Sequence, residues 1–74
     1  MSDIEVNKIN YAVMIVYEFA KQKQLNPKQA FLYLLNNNGI SFIKEHYEVE
    51  HTLSIDEAIN DLTIVCNQNG GALS

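Results

Sequence analysis

Residues 3–24 contain neither glycine nor proline, and their apolar side chains recur at intervals of three and four. That pattern specifies an α-helix more firmly than anything else in the chain. Val6, Ile9, Ala12, Val13, Val16, Phe19 and Ala20 align as one stripe. Ser2 stands at the N-cap, with Glu5 three residues later as the second half of a capping box. Tyr11, Met14, Ile15 and Tyr17 fall off the stripe, so the middle of this helix is apolar nearly all round. Such a helix is either central to its domain or shared with another chain.

The remaining punctuation divides the chain simply. Leu25-Asn26-Pro27 ends the first helix and starts a second over 27–37, with Asn26 as its N-cap and Ala30, Phe31, Leu34 and Leu35 inward. Asn38-Gly39 closes it, with glycine expected in the left-handed position. A third helix is predicted over 41–50, with Ser41 as its cap and Phe42, Ile43 and Tyr47 as apolar contacts. After a corner at Glu50-His51-Thr52-Leu53, Ser54 caps a fourth helix over 55–69. Its stripe is Ile55, Ala58, Ile59, Leu62, Val65 and Cys66, and Gly70-Gly71 ends it. No run alternates with period two. The expected fold is therefore all-α, a compact bundle of four short helices forming a single domain over 1–71, with 72–74 a frayed tail.

Composition narrows the function classes. A chain of 74 residues buries only about 60% of the surface its unfolded form exposes, so a second chain is expected to complete the core. The single cysteine, Cys66, excludes an intramolecular disulfide and a four-cysteine zinc site. The apolar run from Tyr11 to Tyr17 is far short of the roughly 20 residues that span a bilayer. The start lacks the positive segment of a signal peptide. A soluble, cytoplasmic protein is the expectation. The net charge of −4 is unevenly divided. All five lysines lie in residues 1–44 against Asp3, Glu5 and Glu18; the six acidic residues Glu45, Glu48, Glu50, Asp56, Glu57 and Asp61 face no lysine after residue 44.

Candidate chemistry is sparse. His46 and Glu50 are four apart and would share a helical face, but His51 is out of register, and the cluster matches no metal-ligand spacing. His51 is better read as locking the corner, a ring nitrogen pairing with an open carbonyl at the helix end. Cys66 lies on an apolar stripe, where a thiol is inert. The second and third helices could imitate a helix-turn-helix. The third, however, offers Lys44 against Glu45, Glu48 and Glu50, which phosphates would repel. No catalytic residue, metal or cofactor is assigned.

Two stretches carry a family resemblance. Asn10-Tyr11-Ala12-Val13 followed by Glu18-Phe19-Ala20, and above all Tyr47-Glu48-Val49-Glu50-His51-Thr52, resemble the bacterial domain-of-unknown-function family numbered 3791, as do the acidic helix with Asp61 and its Gly70-Gly71 end. Glu50 departs from the family, which tends to be apolar there. Members of this family are often encoded beside genes resembling ADP-ribosyltransferase toxins. The resemblance thus implies a non-enzymatic protein-interaction module, antitoxin-like or an accessory partner of a toxin-type enzyme. A small nucleic-acid-binding transcriptional regulator is the alternative.

The residues assigned to a structural motif are Tyr47, His51, Thr52 and Ser54. Those assigned to an interface are Tyr11, Met14, Ile15 and Tyr17 with the acidic Glu48, Glu50, Asp56 and Asp61. The expected partners are another protein, a basic toxin-like enzyme suiting the acidic half, and a second copy in a homodimer. Neither nucleic acid nor a membrane is expected.

Overall fold

A computed structural model describes residues 2–71; the expected tail at 72–74 lies outside them. The order is α1 (Asp3–Lys23), α2 (Pro27–Asn36), α3 (Gly39–Glu45), α4 (Tyr47–Glu50) and α5 (Ile55–Gln68). Among the described residues there is no strand, and the all-α bundle stands. The ends of α1, α2 and α5 lie within one residue of those expected.

Local chemistry explains these boundaries. Ser2 Oγ accepts from Glu5 N–H at 3.3 Å, and Ser54 Oγ accepts from Glu57 N–H at 3.1 Å. Asn26 makes the fuller arrangement. Its Oδ1 accepts from Gln29 N–H at 2.8 Å while its own N–H donates to Gln29 Oε1 at 3.0 Å. At the end of α1, Gln24 turns left-handed (φ 58°) and Leu25 N–H returns to Ala20 O at 2.9 Å.

Residues 38–50 depart from expectation. The left-handed residue is Asn38 (φ 64°), not Gly39, which is helical and buried as the first residue of α3. A Cβ on Gly39 would lie 2.7 Å from Leu34 Cδ2 and 3.1 Å from Cys66 Sγ. Glycine is thus needed for the close approach of α3 to α2 and α5, not for backbone freedom. Ser41 falls inside α3 and is not a cap. The helix expected over 41–50 is divided at His46 (φ −111°, ψ 20°) into α3 and α4. His46 N–H still donates to Phe42 O, and its carbonyl accepts from Glu50 N–H, so the interruption strands neither backbone group.

The core is Ile15, Val16, Phe19 and Ala20 of α1 with Ala30, Leu34, Ile43, Ala58, Ile59, Leu62 and Cys66. Helix α1 touches α2, α3 and α5, which makes it the central element. Its buried face is rotated from the expected stripe. Ile15, placed off the stripe, is 0% exposed, whereas Val6, Ile9 and Val13, placed on it, are exposed. Phe31 and Leu35 of α2 are likewise exposed rather than inward. The molecule measures 38 × 22 × 21 Å. At 1.5 Å per residue α1 alone is about 31 Å long, and residues 2–10 are exposed apart from half-buried Lys8. The first turns of α1 therefore reach past the rest of the bundle.

Gly39→Ala is predicted to destabilise the chain by about 1–3 kcal/mol, because the added methyl meets Leu34 and Cys66 in a filled core. A urea titration followed by circular dichroism measures this. An unchanged midpoint would remove close packing as the reason for glycine.

Candidate functional site

The Tyr47–Thr52 stretch forms a corner that satisfies its own carbonyls. His51 brings Nδ1 to within 2.7 Å of Tyr47 O, and the same carbonyl accepts from His51 backbone N–H at 3.0 Å. Since a carbonyl only accepts, Nδ1 carries the proton here. The His51 ring stacks on Tyr47 at 4.4 Å, and Tyr47 meets Tyr11 edge-on at 5.5 Å. Thr52 Oγ donates to Val49 O at 2.6 Å. Tyr11 Oη donates to Glu50 O at 3.0 Å, which fastens α4 to α1. The carbonyls of Tyr47, Val49 and Glu50 accept from the backbone N–H groups of His51, Thr52 and Leu53, and the side chains of His51, Thr52 and Tyr11 give each a second bond. Of the four residues assigned to a motif, three build the corner, and Ser54 caps α5 after it.

Glu50 is the unusual member. It is 5% exposed, and its Oε1 has no hydrogen-bond partner. Burial, then the neighbouring Asp61 carboxylate, raise its pKa from 4.5 to about 7. Tyr11 is also held above the ordinary phenol range by burial, with Glu50 and Tyr47 adding to it. Glu50 cannot present itself to a partner, and the same holds for fully buried Ile15. Both are corrected from interface to interior. Tyr11, Met14 and Asp61 are half-buried, while Tyr17, Glu48 and Asp56 are exposed. Asp56 accepts from Gln22 Nε2 at 2.9 Å, joining α5 to α1.

Other candidates for chemistry are not brought together. Among the described residues no three His, Cys, Asp or Glu side chains are grouped to hold a metal. His46 lies against Phe42, with ring centroids 4.9 Å apart. Cys66 is fully buried, and burial pushes its thiol above the usual range, away from the reactive thiolate.

A grooved tract of exposed apolar surface lies elsewhere. Ala12, Val13, Val16 and Tyr17 of α1 with Pro27 and Phe31 of α2 line a groove of about 390 Å³, floored also by Ile40 of α3. A second depression of about 550 Å³ continues it along α1 past Ile9 toward Lys44, sharing Ala12 and Val13. Ile9 is 50% exposed, Val13 51% and Tyr17 56%. Of the expected interface residues only Tyr17 belongs to this groove. Ile9, Val13, Phe31 and Ile40 were missed, because a helix apolar all round does not declare which face turns outward.

The family model for "Protein of unknown function (DUF3791)" matches residues 10–69. The chain belongs to the DUF3791 family. Comparison with curated proteins and with solved structures gives no match. The DUF3791 match takes in the corner, the residues lining the first groove and the whole of α5, while Glu5, Lys8 and Ile9 of the second depression precede it. No helix among the described residues is long and apolar enough to cross a membrane.

Glu50 makes stability pH-dependent in a defined direction. The folded chain keeps this proton up to about pH 7, while the unfolded chain releases it near 4.5. Unfolding therefore loses a proton in that window, and the contribution of Glu50 to stability falls as pH rises from about 4.5 to about 7. The loss is at most about 3 kcal/mol, and Glu50→Gln removes it. Urea midpoints of the two proteins are expected to converge at pH 4.5 and separate by pH 8, with the Gln variant the more stable. Parallel curves would sink this account.

Proposed function

We propose that this chain is a non-enzymatic protein-interaction module that binds through the groove of α1, α2 and α3, as an antitoxin-like or accessory partner of a toxin-type enzyme. The observation that supports it is the groove itself. Half-exposed Ile9, Val13, Tyr17 and Phe31 form one connected apolar tract on a chain too small to hide it. The toxin-type partner rests on the gene neighbourhood that the family resemblance implies. A single buried cysteine suits the reducing cytoplasm in which such a complex would form.

Co-expression with the product of the adjacent gene tests the reading. The two are expected to co-elute at micromolar concentration. Val13→Asp and Phe31→Asp alter exposed positions, so each variant should keep its helical spectrum and unfolding midpoint within about 0.5 kcal/mol. Each should separate from the partner, since a carboxylate placed in an apolar contact is left unpaired. Two separate peaks for the parent chain would sink the module reading. Co-elution unaffected by both variants would remove the groove.

A further inference from the structure

Resting on that interaction reading, we infer that the groove receives an acidic amphipathic helix of the partner, an apolar ridge flanked by carboxylates. The charges bordering the apolar tract decide its chemistry. Lys28 lines the groove with Phe31, and Lys8 and Lys44 line its continuation with Ile9 and Val13. Three of the five lysines thus edge one groove, against a single carboxylate, Glu5. Among the described residues none of the three is in a salt bridge, the one pair present being Lys21 with Glu18. Their ammonium groups are free to meet an incoming charge, while their methylene stems widen the apolar floor. A helix laid in such a groove places apolar residues at intervals of three and four on the floor and its flanks beside the lysines.

A second copy fits less well. Groove against groove would set lysines against lysines. The acidic half does not supply the ridge either. Glu45, Glu48, Asp56 and Glu57 are spread over α3, α4 and the first turn of α5, and the exposed face of α5 beyond them runs Asn60, Ile64, Asn67.

Two labelled peptides test the inference, each an amphipathic helix with leucine at intervals of three and four. One carries glutamate on its flanks and its twin carries lysine there. Fluorescence anisotropy with the full chain is expected to show the glutamate peptide binding at least ~10-fold more tightly than the twin. The difference should shrink as salt is raised from about 50 to about 500 mM. Lys8→Glu/Lys28→Glu/Lys44→Glu should reverse the preference. The double variant Lys28→Glu/Lys44→Glu, confined to exposed positions, should reduce it if the triple variant folds poorly. Equal binding of both peptides, tighter binding of the lysine twin, or binding of neither would overturn the inference, as would a homodimer that Val13→Asp dissociates. A partner complex broken by Val13→Asp but untouched by lysine reversal would remove the acidic helix and leave the interaction reading standing. A complex untouched by both Val13→Asp and Phe31→Asp would remove the groove and this inference with it, and the absence of any complex would remove the interaction reading itself.

Discussion

One long helix has to be covered by elements too short to surround it. Helix α1 has 21 residues, against 10 in α2, 7 in α3, 4 in α4 and 14 in α5. The others close on its second half, where Ile15, Val16, Phe19 and Ala20 are buried together, and that contact holds the fold. Burial of such side chains contributes about 1.5–3 kcal/mol each for the larger ones, which makes this face the main stabilising contact of a domain this small. The adjoining face of the same turns, carrying Val13 and Tyr17, is only partly covered, by Pro27 and Phe31 of α2 and Ile40 of α3. The groove is therefore a consequence of the core and not a feature added to it: choosing Ile15 and Phe19 as the inward positions turns Val13 and Tyr17 outward.

The corner solves a different difficulty. Four residues cannot form a self-sufficient helix, so α4 depends on side chains that reach its carbonyls and on Tyr11 reaching across from α1. This also explains why a histidine and two tyrosines gather without any catalytic geometry. Tyr11 Oη and His51 Nδ1 are spent on backbone carbonyls, and Tyr47 contributes its ring. Glu50 is carried into the interior by the same arrangement, on a helix whose other exposed positions, Glu48 and Val49, remain in solvent. A carboxyl held there keeps its proton, because the neutral acid is far easier to bury than the ion.

How much was legible in the sequence follows from which choices were local. Helix ends at Ser2, Asn26-Pro27 and Ser54 are written by nearby residues, since each cap spans only four positions in a row. The break at His46 involves no glycine or proline and is imposed by contacts of Tyr47 and Glu50 with distant α1, so no local signal marked it. Gly39 was read through its backbone, whereas its selection comes from Leu34 and Cys66 on two other helices. The facing of α1 was ambiguous for a plainer reason. Two stripes, one through Val6, Ile9 and Val13 and one through Tyr11, Ile15 and Phe19, both obey helical spacing, and only the partners of α1 choose between them. The groove inherited that ambiguity, which is why Tyr17 was anticipated at a surface and Val13 was not.

Charge placement bears on how such a surface could be kept without self-association. An apolar tract of this kind ordinarily invites a second copy, especially on a helix whose first turns stand clear of the bundle. Placing Lys8, Lys28 and Lys44 at its edges sets like charges face to face in any symmetric pairing, at a cost each copy would bear twice. The same lysines favour a partner that brings carboxylates on both sides of an apolar ridge. Net charge alone does not reveal this, because the chain as a whole is acidic and its carboxylates lie mainly beyond residue 44. What matters for recognition is the sign of the few charges that border the apolar contact, where water is excluded and screening is weakest. On this argument an acidic protein presents a basic-edged groove, and its specificity lies in the contrast between the two.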